Sequence, residues 1–103
     1  MTEMTLKQAL IAVKKTIGTK KKWTRHAYAR NADMKRTDPT DENAVCFCTG
    51  GAIKRVTDGK GYDLYEKIYR AIQLEMDGAI PAFNDTRSFE EVHERIDRAI
   101  AKA

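Results

Sequence analysis

The 103-residue chain has few of the groups that make an active site visible in a sequence. It has two cysteines, two histidines and one tryptophan. The cysteines, Cys46 and Cys48, are two residues apart, and no Cys-x-x-Cys or His-x3-5-His spacing accompanies them. Zinc needs four convergent N or S ligands, so a structural zinc site has no basis here, and no cofactor is expected. If residues 46 to 48 are helical, the two thiols point to opposite sides and cannot bridge. Thr49-Gly50-Gly51 lacks the Gly-Lys-Ser/Thr that a phosphate-binding loop requires. Long apolar runs, a signal-peptide pattern, internal repeats and low-complexity tracts beyond Lys20-Lys21-Lys22 are missing too. These absences predict a cytoplasmic chain with free thiols and no membrane partner. At this length residues 1–103 form a single domain able to bury its own core.

Charge is present in quantity and unevenly spread. The formal net charge is +4. From Lys14 to Arg36 nine Lys and Arg face the single acid Asp33, which is +8 and leaves −4 for the rest. A basic segment beside an acidic body suits a polyanion or an acidic partner surface. A solvated loop is the plainer reading. Trp23 lies among these cations. Its indole is placed either to stack on a base, with Lys21, Lys22, Arg25 and Arg30 on phosphates, or to anchor a loop to the core.

The least polar run, Ala44 to Ile53, is the centre of the chain. It predicts a central helix over residues 42–57, with Thr40 or Asp41 as N-cap and Lys54 and Arg55 in the last turn. A short strand from Val45 to Cys48, turning at Gly50-Gly51, is the competing reading. Adjacent glycines cost roughly 1 kcal/mol each in a helix, which close packing on a neighbour would offset.

Periodicity predicts three more helices. Leu6, Ala9, Leu10, Val13 and Ile17 mark residues 5–17, opened by Thr5 with Gln8 and closed by Gly18. Tyr65, Ile68, Tyr69, Ile72 and Met76 mark residues 62–77, with the tyrosines read as core lining. Phe89, Val92, Ile96, Ala99 and Ile100 mark the last helix, opened by Ser88 with Glu91. Residues 79–87 read as a compact connector, because Pro81 drives Ile80 to an extended conformation. Residues 31–40 read as an exposed loop. The expected fold class is mainly α: a compact bundle of about four helices, with one extra short helix near Trp23, from Thr24 to about Ala29.

The order of features is itself informative: Trp23, then Cys48-Thr49-Gly50-Gly51-Ala52, then Phe83-Asn84-Asp85, then Glu91-Val92 and Asp97-Arg98-Ala99-Ile100. In that order and spacing, from Trp23 onward, the chain resembles a family of small bacterial and phage proteins known only as a domain of unknown function. Members more often have Trp where this chain has Phe83, which keeps the aromatic contact and loses the indole N–H. The resemblance implies a small, mainly helical domain of phage or mobile-element origin and brings no activity with it.

The candidate site residues are Lys21, Lys22, Trp23, Arg25, Arg30, Asn84, Asp85 and Arg87, with Cys48, Gly51 and Ala52 as a buried motif. Asn84 and Asp85 are a hydrogen-bonding pair in a pocket or, more simply, caps for the helix that follows. No catalytic residue is assigned. The expected function is a small non-enzymatic binding protein acting on a protein or nucleotide-like partner, as a monomer or homodimer. The alternatives are a nucleic-acid-binding protein using the basic segment 14–36, and a small enzyme using Asp85 with Cys48 or His93.

Overall fold

The structure is a computed structural model and describes residues 4–103. Thr5 opens α1 (Leu6–Thr16) with the expected capping box: its hydroxyl accepts from Gln8 N–H, and the Gln8 side chain accepts from Thr5 N–H. The apolar stripe behind this cap buries Ala9, Leu10 and Val13. Gly18 donates to Lys15 O just past the C-terminus of the helix. A 3-10 turn, Lys20–Lys22, follows, and it is the short helical element near Trp23.

Residues 25–28 form a series of bends, with His26 at positive φ, so the helix expected over Thr24–Ala29 does not form. Instead Ala29–Arg30 is strand β1, between β2 (Arg36–Thr37) and β3 (Cys46–Phe47) in a small antiparallel sheet. Ala29 pairs with Thr37 and with Phe47, and Arg30 with Arg36 and with Cys46. The expected loop 31–40 therefore contains a hairpin. Asn31 Oδ1 holds its turn by accepting from Asp33 N–H and Lys35 N–H.

The central helix is shorter than expected. α2 runs Thr49–Thr57, with Cys48, not Thr40 or Asp41, as N-cap. Residues 42–48 cannot be helical because their N–H groups are used elsewhere: Val45 donates to Arg30 O and Cys48 to Tyr28 O. The strand reading holds as far as Phe47, and Gly50-Gly51 form the first turn of α2 instead of a chain reversal.

Helices α3 (Tyr62–Glu75) and α5 (Phe89–Lys102) match their apolar periodicity, and Ser88 accepts from Glu91 N–H as N-cap of α5. Between them residues 80–86 are helical, not a connector: α4 (Ile80–Thr86) carries Pro81 in its first turn. A proline there has no hydrogen bond to lose, so it opens the helix instead of preventing it. Among the described residues the result is a mainly α fold of five helices with one three-stranded sheet. Leu10, Ile17, Ile53, Ile68, Ile72, Met76, Ile80 and Ile96 meet in its core. Among the described residues no helix is long and apolar enough to cross a membrane.

Candidate functional site

Three local constraints build the site. The first is the approach of Tyr28 to α2. Cys48 Sγ accepts from Gly51 N–H at 3.3 Å, and the Tyr28 carbonyl lies over the same turn. A Cβ on Gly51 would stand 1.8 Å from Tyr28 O, so only glycine fits. The close packing that the paired glycines imply is therefore present, against backbone.

The second is Asn84, almost fully buried in α4. Its Oδ1 accepts from Trp23 Nε1 at 2.8 Å, Thr49 N–H at 2.9 Å and Thr49 Oγ1 at 2.8 Å. Its Nδ2 donates to Thr24 O at 3.0 Å and to Asp85 Oδ1 at 3.1 Å. Asn84 thus caps α2, distant in sequence, and not the helix that follows it.

The third is His26, held at φ 64°, in the left-handed region. Its N–H donates to Asp85 Oδ1 at 3.0 Å, and its Nδ1 is 3.5 Å from Asp85 Oδ2.

Together these set one wall of a cleft of about 1150 Å³, on which His26, Tyr28, Cys48, Gly50 and Asp85 lie. The opposite wall is α3. Tyr62, Tyr65 and Tyr69 are its aromatic row, with centroids 6.0 and 5.8 Å apart and planes tilted 28° and 29°. All four tyrosines of the chain line this one cavity. Tyr65 and Tyr69 are half-buried and also pack against the core, as their spacing predicts, while Ile68, Ile72 and Met76 are fully buried within it. Tyr28 is 52% and Tyr62 71% exposed, and Leu74 at the rim is 81% exposed.

The charges of the cleft are unequally satisfied. Glu66 is paired with Arg70 at 2.7 Å, and Asp38 accepts from Thr40 N–H and Oγ1. Lys54 stands 4.1 Å over the Tyr28 ring. Neither Lys54 nor Arg36 forms an ion pair among the described residues. Burial raises the Tyr65 hydroxyl above its ordinary value, with neighbouring tyrosines adding to the shift, so it remains a donor at neutral pH. The cleft therefore offers aromatic faces, phenolic donors and two unpaired cations.

Burial likewise pushes the Cys48 thiol above its ordinary 9.0, against the Gly51 N–H, and nearby Asp85 adds to the rise. The neutral thiol is the form the fold favours. Its stabilisation is complete below the unfolded value and is lost as pH rises through the raised folded value. Urea unfolding of wild type and Cys48→Ser between pH 8 and 10.5 checks this: wild type should lose more stability with rising pH than the variant.

A model of a family described as "Family of unknown function (DUF6197)" matches residues 1–102. The chain belongs to the DUF6197 family. No curated protein and no solved structure matches it.

In this DUF6197 chain the expected site residues meet only in part. Trp23, Asn84, Asp85, Arg25 and Arg87 converge, since Arg25 Nη2 donates to Arg87 O where α4 ends. Trp23 spends its indole N–H on Asn84, and its ring meets Phe89 edge-on at 5.9 Å. Arg30 folds back onto Thr24, Met34 and Arg25. Gly51 and Ala52 are buried, and Lys21 and Lys22 stand exposed on the 3-10 turn. The alternative of Asp85 with His93 does not form, because His93 Nε2 lies 2.6 Å from Ile17 O and its ring packs on Phe89. His26, not His93, shares the cleft with Cys48 and Asp85. Among the described residues no three His, Cys, Asp or Glu side chains are grouped to hold a metal ion. Tyr28, Tyr62, Tyr65, Tyr69 and Lys54 were not legible as site residues. The available signal was that three of the tyrosines recur at helical spacing on a helix whose isoleucines already supply a core face.

Proposed function

We propose that this chain is a small non-enzymatic binding protein that holds a nucleotide-like ligand in the tyrosine cleft. The observation that carries this reading is the gathering of all four tyrosines with the unpaired Lys54 and Arg36 around one concavity. Aromatic faces take a planar base and lysine and arginine take phosphate, a division of labour common to nucleotide-binding surfaces. The cavity, about 1150 Å³, is slightly larger than the roughly 300–1,000 Å³ of ordinary ligand pockets. A cytosolic setting agrees with the free thiols of Cys46 and Cys48. A phage or mobile-element origin is part of the same proposal and rests on the resemblance.

The basic segment supports a nucleic-acid surface less well. Lys20 is paired with Glu90, and Arg25 and Arg30 sit half-buried in a pocket instead of along an open face. One observation favours a protein partner instead: Leu74 and Tyr62 project from the cleft rim, and tyrosine-rich surfaces suit protein contacts.

Calorimetric titration with purine and pyrimidine mononucleotides tests the reading. Saturable binding is expected, weakened about tenfold or more by Tyr65→Ala or Lys54→Glu, with circular dichroism checking that each variant is folded. Binding unaffected by both changes, or no binding of any mononucleotide, would remove the proposal and leave the protein-partner reading.

A further inference from the structure

We propose a second site: the pocket between residues 23–30 and the start of α5 binds an oxyanion of the phosphate class through Arg25 and Arg30. It is a separate cavity from the tyrosine cleft, of about 540 Å³, and its lining includes Lys20, Trp23, Arg25, Arg30, Ser88 and Glu90.

Both arginines are half-buried and line this pocket, and Arg30 Nη2 donates to the main-chain carbonyl of Arg25 at 3.3 Å. Neither forms an ion pair among the described residues. Their other contacts are neutral. Arg25 Nη2 donates to Arg87 O. Arg30 Nε donates to Thr24 Oγ1 at 3.1 Å and Arg30 Nη1 to Met34 O at 3.1 Å. Arg25 Cζ also stands 4.8 Å over the Trp23 ring. Arg25 Nε, like Arg95 Nε, is buried with no hydrogen-bond partner among the described residues.

Elsewhere the pattern differs. Arg70, Arg87, Arg95 and Arg98 each meet a carboxylate. Among the described residues Arg36 and Arg55 also lack one: Arg36 lines the tyrosine cleft, and Arg55 stands alone and bonds the Pro39 and Asp41 carbonyls. Two partly buried like charges in one pocket are costly without a counterion, and their planar forks match an oxyanion bidentately. Glu90, the one carboxylate in the lining, is matched to Lys20 at 3.1 Å. It neutralises the lysine and leaves the arginines. The N-terminus of α5 adds a favourable dipole.

The test is a ¹H–¹⁵N NMR titration of the whole protein with inorganic phosphate, at ionic strength held constant with chloride. Saturable shifts are expected at the Arg25 and Arg30 Nε–H signals and the Ser88 and Phe89 amides. Sulfate should reproduce them. Arg25→Gln or Arg30→Gln should weaken the affinity about tenfold or more, because each removes charged hydrogen bonds. Glu90→Gln should tighten it, and Arg70→Gln and Tyr65→Ala should leave it unchanged. If Arg25→Gln does not fold, Arg25→Lys keeps the charge, loses the fork and should still weaken binding. A phosphomonoester that moves the same signals more tightly than phosphate identifies a larger ligand as the source. Equal affinity identifies the free ion, and either result supports the site. Linear shifts centred on Lys21 and Lys22, or saturation unaltered by Arg30→Gln, would overturn it.

Discussion

Gly51→Ala is expected to destabilise the protein by about 3 kcal/mol or more, a fall of roughly 10–20 °C in Tm for a domain of this size. On helix propensity alone the same change would gain up to about 1 kcal/mol. The steric term wins because the added Cβ would meet Tyr28 O at 1.8 Å, and that atom is backbone. The carbonyl is also the acceptor for Cys48 N–H, so moving it loosens the entry to α2. Gly50 is the internal control. Its added Cβ would lie 3.4 Å from the Tyr28 ring, an ordinary contact. Gly50→Ala should therefore be neutral or slightly stabilising. Thermal melts of the two variants side by side check the prediction, and equal effects would mean that Tyr28 does not press on this turn.

Asn84→Ala is expected to cost about 3–5 kcal/mol. It strips partners from the Thr49 N–H and hydroxyl, the Trp23 indole and the Thr24 carbonyl at once. Each buried polar group left unpaired costs roughly 1–3 kcal/mol. The half-buried indole contributes least, because water can reach it. Thr49→Val removes one hydroxyl bond and keeps the N–H, so about 1 kcal/mol is expected. Urea unfolding followed by Trp23 fluorescence reports both the stability and the indole environment. A loss near 1 kcal/mol for Asn84→Ala would mean that these four bonds do not form together.

These two residues also show what a sequence can and cannot disclose. The paired glycines announced a close approach, and one exists, but nothing local named Tyr28 as the neighbour. Helices α1, α3 and α5 were legible because periodicity and capping are local signals, as at Thr5 with Gln8 and Ser88 with Glu91. The segment 24–48 was not. Its strands are two residues each, too short for any alternation, and β1 takes its second partner, β3, from beyond the hairpin, pairing Ala29 with Phe47. Pro81 misled because its effect depends on position: it blocks a helix interior and is tolerated in a first turn.

The cleft was the least legible part. Helical spacing reveals that Tyr62, Tyr65 and Tyr69 share a side of α3. It does not distinguish a side that faces the core from one that faces a cavity. Here Ile68, Ile72 and Met76 are fully buried in the core, while Tyr65 and Tyr69 touch both the core and the cleft. The second wall depends on His26 meeting Asp85, 59 residues later. Asn84 and Asp85 were recognised as a hydrogen-bonding pair, but their partners lie on α2 and on the segment after Trp23, beyond the reach of local reasoning.

A native mass spectrum of the protein purified from cells at moderate salt, with its 260/280 nm absorbance ratio, tests the tyrosine cleft most directly. The account predicts a bound species with the mass of a nucleotide and a raised ratio, both lost in Tyr65→Ala and Lys54→Glu. An unliganded mass with an ordinary protein ratio, the same in wild type and both variants, would contradict it.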